Sequence, residues 1–273
     1  MVNTDEILFR CSSLGYLMKK PKSKDDKEAG NLSETAKTHC VDVFASWYYN
    51  RREDAYSKYL DKGTVVEEDA ITLLSLETNN LYIKNEETMT NDYIIGTPDL
   101  LIKKGDVIEV VEDIKSSWDI FTFLRTKSSA LNENYYWQLM GYMWLTGAHK
   151  ANVRYCLVNS TADLIDAEKR KLAWQMNLID ADANPEYVEK CKQIERNMIY
   201  DIELFQQHYP YFVFHSDLSK WEYDIPRSDR LFTFSLVRSD GDISLIKSKV
   251  VKARDYIKSL LPTTIPETDL VNN

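Results

Sequence analysis

Three side chains near the middle of this chain could do chemistry together. In Val-Glu-Asp-Ile-Lys-Ser, Asp113 and Lys115 are two apart. On a β-strand they leave the same face, and Glu112 points the other way. Asp99 ends the segment Gly-Thr-Pro-Asp, at hairpin distance upstream. Pro98 cannot donate to a sheet ladder, so it marks an edge or a bulge, where a side chain can be re-aimed. Two antiparallel strands turning at Lys104-Gly105-Asp106 would bring Asp99 beside Asp113 and Lys115. Paired carboxylates are hard oxygen ligands suited to Mg²⁺ or Mn²⁺. Such an ion can generate hydroxide and neutralise a phosphate. A lysine beside it can orient the attacking water or stabilise charge on phosphorus. A lone Asp-x-Lys is most often an exposed ion pair, and the upstream Gly-Thr-Pro-Asp sets this one apart.

Two helices would have to complete such a site. Residues 55–76 read as a helix on which Gly63, Glu67, Ile71 and Leu74 form one stripe. Glu67 should therefore face the sheet, within reach of a cation held by Asp99 and Asp113. Glu68 aligns with the polar Thr64, Thr72 and Ser75 and should face away. Residues 131–147 form a second amphipathic helix, with Leu131, Tyr135, Gln138, Tyr142 and Leu145 on one stripe. A buried Gln138 must find hydrogen-bond partners. With Tyr142, one turn on, it could hold a substrate phosphate or a catalytic lysine.

The remaining elements follow from periodicity and punctuation. Ser12-Ser13 could cap a helical turn, residues 19–27 read as a charged loop, and residues 32–49 as a helix capped by Asn31 or Ser33. Strands are expected at 81–84, 93–103, 107–115 and 151–158, with a short helix at 117–125. Apolar residues of both parities in 107–115 imply a strand covered on both faces. The whole is an α/β fold with a central mixed sheet flanked by helices. Further on come helices at 162–180 and 185–208, strands at 212–214 and 230–238, and a turn at Asp240-Gly241. The last helix, 245–261, carries Lys247, Lys249, Lys252, Arg254 and Lys258, a face that could follow a DNA backbone or simply be solvated. The expected organisation is a core over 1–160, an extension packed on it over 161–262, and a flexible tail over 263–273.

The chain has 273 residues, 44% hydrophobic and 28% charged, an ordinary composition for a soluble globular protein with room for one large domain. Its net charge of −9 argues against broad nucleic-acid affinity but leaves room for a local site. There is no run long enough to span a bilayer and no signal-peptide core in MVNTDEILFR, so a cytoplasmic setting is expected. The four cysteines, Cys11, Cys40, Cys156 and Cys191, are far apart and form no Cys-x-x-Cys pair.

The ordered set Glu67, Gly-Thr-Pro-Asp99, Asp113-Ile-Lys115 and Gln138-x-x-x-Tyr142 resembles the PD-(D/E)XK nucleases, in particular the RecB-like and YqaJ-like phage exonucleases that include lambda exonuclease. RCSSLGYLM and KGTVVEEDAI are similar to the opening segment and first-helix glutamate motif of that group. The likeness covers roughly residues 8–160, and the ordering of the four motifs carries it, since no one of them is specific. It implies a restriction-endonuclease-like core with an added C-terminal helical and strand region. It also implies a metal site on Glu67, Asp99 and Asp113, Lys115 as catalytic lysine, and Gln138 and Tyr142 as supports.

The activity implied is Mg²⁺- or Mn²⁺-dependent hydrolysis of DNA, linear duplex or single strand, by in-line attack of water. An exonuclease serving phage recombination, replication or processing is the first expectation. A structure-selective or nicking endonuclease, or a non-cleaving nucleic-acid-binding protein, is the alternative. A phage recombination or single-strand-binding protein is a candidate partner; an oligomer is compatible and a membrane is not expected. Relatives with an iron–sulfur cluster pair one early cysteine with a late group, and this chain lacks the late group. Purified protein should therefore be colourless; a brown preparation with stoichiometric iron and inorganic sulfide would contradict this.

Overall fold

A computed structural model describes residues 3–52, 62–63 and 65–262. The chain opens with β1 (Phe9–Arg10), α1 (Leu14–Leu17), α2 (Lys24–Glu28) and α3 (Glu34–Tyr49). Next come α4 (Glu67–Thr78), β2 (Met89–Thr90), β3 (Ile94–Gly96), β4 (Leu100–Lys104) and β5 (Val107–Ser116). They are followed by α5 (Ile120–Lys127), α6 (Glu133–Thr146), β6 (Lys150–Cys156), α7 (Ala162–Gln175), α8 (Pro185–Met198) and α9 (Ile202–His208). The last two elements are β7 (Leu231–Val237) and α10 (Asp240–Ser259). The expected tail and much of the expected helix 55–76 lie outside the described residues.

The central sheet is mixed, in the order β4-β5-β6-β7. β5 and β6 are parallel, and an antiparallel strand flanks each of them. The expected strand 93–103 is divided at Pro98. Its first part, β3, joins a separate small sheet with β1 and β2, and its second part, β4, joins the central one. The expected strand 81–84 does not form. Met89–Thr90 pairs with β3 instead, and Leu81 and Ile83 point to solvent.

β5 is covered on both faces over its second half. Val111 belongs to a core shared with α6, α10 and the opening segment, whereas Ile114 belongs to a second core under α4. At its other end Val107 is 65% exposed, so burial deepens along the strand toward Asp113. The turn before it is tighter than expected: Lys104 pairs with Val107, leaving Gly105 at φ +60° and Asp106 as the loop.

Several boundaries moved for local reasons. Ser33 caps α3 through Ala36 N, and Asp119 caps α5 through Thr122 N. Ser13 Oγ donates to Arg10 O and caps nothing. Part of the expected 19–27 loop winds into α2 because Ser23 caps it. Residues 212–214 form no strand. The expected helix 185–208 breaks after Met198, where Asn159 Oδ1 accepts from both Tyr200 N and Asp201 N, and Asp201 then caps α9. Asp240-Gly241 is the first turn of α10, not a hairpin: the Ser239 cap and two acids at the helix N-terminus outweigh the glycine.

α10 also corrects the reading of a basic face open to DNA. Lys249 Nζ donates to the carbonyls of Gly30 and Asn31, and Lys252 Nζ to those of Ala29 and Gly30. Arg254 is buried and donates to Ile7 O and Asp92 O. These cations bind the C-terminal helix to the N-terminal segment. Arg254→Met should therefore strand the buried Ile7 carbonyl and cost about 1–3 kcal/mol in urea unfolding. The exposed Lys258→Met is the control expected to leave the midpoint unchanged.

Candidate active site

β5 presents its acids to opposite faces, as period two requires. Glu112 accepts from Arg154, and Asn152 Nδ2 donates to it at 2.9 Å. Arg154 Nη1 continues to Thr233 Oγ1 at 2.8 Å. This face is a structural ion pair joining β5, β6 and β7. On the other face Asp113 is 1% exposed, and its Oδ2 lies 2.7 Å from Lys115 Nζ. Burial works against the Lys115 charge, but Asp113 and Asp99 outweigh it and hold its pKa above the ordinary lysine value.

Each residue of Gly-Thr-Pro-Asp has a separate physical task. A Cβ on Gly96 would lie 2.7 Å from the Tyr142 ring and 2.8 Å from Cys11 Sγ, so no larger residue fits. Thr97 Oγ1 hydrogen-bonds Thr88 Oγ1 at 2.8 Å. Pro98 ends the pairing of β4. Leu100 is opposite Glu112, and by extension of that register Pro98 is opposite Ile114. The Asp99 carboxylate takes the Ile114 N–H instead, at 2.6 Å. Asn85 fixes this corner from outside, donating from its N–H to Asp99 O and from Nδ2 to Pro98 O. The break thus aims Asp99 across the sheet at Asp113. Burial, then the charge of Asp113, pushes the Asp99 pKa up to about 7, against the pull of Lys115 and the Ile114 N–H.

α6 delivers Gln138 and Tyr142 from above. Gln138 Nε2 donates to Asp113 Oδ1 and to Tyr142 Oη, each at 3.0 Å. The amide thus meets Asp113 rather than the lysine, and Tyr142, 4% exposed, supports the amide. Tyr135, on the same stripe, places its ring 5.0 Å from Lys115 Nζ. Sequence reasoning put Tyr135 on that stripe without giving it a task.

Glu67 starts α4 and lines the same cleft of about 790 Å³ as Asp99, Lys115, Tyr135 and Gln138. Glu68 is exposed. Glu67 Oε2 is 2.6 Å from Lys84 Nζ, a contact that no pattern in the sequence announces. Asp99 and Asp113 therefore adjoin, while Glu67 is engaged separately. Among the described residues no three acidic, histidine or cysteine side chains converge as a closed cation cage. The donor set nonetheless suits a hard divalent ion. It is all carboxylate, and one member has its pKa raised by burial and then by a like charge that a cation would offset. Cys11, by contrast, packs against Gly96 and Gly141, with its thiol pKa raised by burial.

No family model matches the chain, and no curated protein does. Solved structures do. A phage-related exonuclease from Haemophilus somnus 129PT is 26% identical, with a TM-score of 0.66 over 93% of this chain and 95% of that one. An alkaline exonuclease from Laribacter hongkongensis, LHK-Exo, is 12% identical, with a TM-score of 0.55 over 94% and 90%. The same enzyme in complex with dAMP gives 14% and 0.54 over 94% and 92%.

Removing one negative charge should act oppositely at two positions. Asp99→Asn removes a carboxylate that its surroundings disfavour, so the melting temperature in chelator should rise at neutral pH. Glu112→Gln leaves the half-buried Arg154 guanidinium without its counter-charge and should cost about 1–3 kcal/mol. Melting curves of both variants beside the parent decide it, and equal shifts would contradict the division of labour between the two faces.

Proposed function

We propose a function from this premise: the chain has the architecture of the phage-related exonucleases and resembles the lambda-exonuclease-like group of PD-(D/E)XK nucleases. The proposed activity is hydrolysis of DNA phosphodiester bonds by a divalent-metal-dependent exonuclease acting in phage recombination, replication or processing. One observation carries it. Asp99, Asp113 and Lys115 meet at the end of a strand buried on both faces, beside a cleft, with Gln138 holding Asp113. An ion pair that served stability alone would not need an opposing carboxylate with its pKa raised to about 7.

The residues divide the work. When bound, Mg²⁺ or Mn²⁺ would be held by Asp99, Asp113 and Glu67 and would supply Lewis-acid stabilisation of phosphate charge. Gln138 and Tyr142 hold the Asp113 carboxylate in one orientation, which limits reorganisation during reaction. Lys115 stays protonated beside Asp113 and presents a cation to the cleft, where it can orient water or meet charge developing on phosphorus. The hydroxyl and amide side chains of Ser12, Ser117, Thr122 and Asn134 line the rest of the cleft and can donate to phosphate or sugar. No described helix is long and apolar enough to cross a membrane.

The test follows product sizes over time on end-labelled linear duplex and on a covalently closed circle, with Mg²⁺ or Mn²⁺ against chelator. Release of short products from linear DNA alone is expected. Asp113→Ala and Lys115→Ala should each lower the rate about 100- to 1000-fold while remaining folded. Rapid cutting of the closed circle would favour an endonuclease, and normal cutting by folded Asp113→Ala would sink the assignment.

A further inference from the structure

The register of the central sheet places Lys115 opposite Tyr155, and Tyr155 opposite Phe232. The three side chains form a row across β5, β6 and β7. Tyr155 and Phe232 stack with centroids 4.8 Å apart and planes 6° from parallel. Tyr135 comes down from α6 onto the Lys115 end of that row. Its ring centroid is 5.0 Å from the ammonium and 6.3 Å from the Tyr155 ring, which it meets edge to face. Phe123 backs Phe232 from α5 at 4.9 Å. An aromatic wall thus runs from the edge strand to Lys115, and Tyr135 is its terminal member.

We propose that Tyr135 is the positioning residue for Lys115, its ring face confining the ammonium to the cleft side of Asp113. The inference rests on the function proposed above and adds a residue to it. A lysine side chain has four rotatable bonds, and Asp113 restrains only the tip, at 2.7 Å. A second restraint is needed to keep the charge pointing into the cleft when substrate phosphate competes for it. A π-face attracts the cation and cannot take its proton, so it orients without neutralising. The aromatic wall keeps the ring from turning aside. The phenolic hydroxyl has no part in this, so phenylalanine should serve and an aliphatic residue should not.

The experiment compares Tyr135→Phe and Tyr135→Leu with the parent, using Mg²⁺ and linear duplex. Tyr135→Leu should lower kcat about tenfold, with KM within about threefold of the parent. Tyr135→Phe should keep at least about a third of the parent kcat. A second readout needs no activity. In protein carrying ¹³Cε-labelled lysine, the Lys115 ε-methylene signal, identified by its loss in Lys115→Arg, should be ring-shifted upfield in the parent and in Tyr135→Phe. It should return toward the free-lysine position in Tyr135→Leu. Should the parent cut no DNA, the nuclease reading fails, and the ring shift alone then decides whether Tyr135 holds Lys115. Parent-like kcat in Tyr135→Leu, or an unmoved Lys115 signal, overturns the proposal. So does a Tyr135→Phe as slow as Tyr135→Leu, because the hydroxyl would then be touching substrate. Should Tyr135→Leu fail to show a melting transition, Tyr135→Met takes its place with the same expectations.

Discussion

The structure depends on placing a carboxylate and an ammonium side by side on a strand that is covered on both faces. An isolated charge there would cost several kcal/mol, and the mutual attraction of a pair offsets that only when remaining lone pairs are also satisfied. Asp113 is nearly inaccessible, with Lys115 on one oxygen and Gln138 on the other. That requirement explains why an amide interrupts the apolar stripe of α6, and why Tyr142 lies behind it. It explains Gly96 as well, because the Tyr142 ring occupies the space a side chain would need. The opposite face of β5 obeys the same rule by different means. Glu112 meets a guanidinium that is itself anchored to Thr233, and nothing there is left open to ligand.

Asp99 does not obey the rule, and that is informative. Its backbone corner is well fixed by Asn85 and one carboxylate oxygen accepts the Ile114 N–H, yet burial and the charge of Asp113 still push its pKa up. A protein shaped for stability alone would place an amide or an apolar residue at that point. A residue that violates local consistency while its surroundings are over-determined is what the proposed chemistry would require at this position, with stability given up for function. The same reasoning separates Asp99 from Lys169–Glu195, a buried pair in the α7–α8 region. There Glu195 also accepts from the main chain of His215 and Ser216, and Lys169 donates to Val213 O, so both members of the pair are satisfied.

Much of this was legible before any coordinates. Period two put Asp113 and Lys115 on one face, mixed parity gave β5 two buried faces, and helical spacing placed Glu67 rather than Glu68 at the cleft. What was not legible is non-local. Pro98 announced an interruption, but not that β3 and β4 would enter different sheets, because that depends on β1 and β2 pairing with the two edges of β3. Lys84 lies in an irregular stretch beyond the end of α4, so no periodicity could pair it with Glu67. Asp240-Gly241 carries a turn signature, and only the cap at Ser239 turns it into a helix start. The break at Met198 likewise depends on Asn159, a residue far away in the sequence.

α10 shows why a charge pattern is a weak guide to binding. Its lysines and arginine look like a phosphate-tracking face in sequence, yet Lys249, Lys252 and Arg254 donate to main-chain carbonyls of the opening segment, which has no ladder of its own to satisfy them. Their charge is spent on joining the two ends of the chain. Among the described residues that line the cleft, Lys115 is the one basic side chain. A nucleic-acid strand entering it would thus meet hydroxyls, amides and aromatic rings, and release few counterions there. Affinity built this way comes from fit to the sugar–phosphate path and from stacking, which a net charge of −9 does not oppose at contact range. The overall acidity and the proposed phosphodiester substrate are therefore compatible: the long-range field is screened by salt, and the hydroxyl, amide and aromatic groups of the lining would act at contact distance.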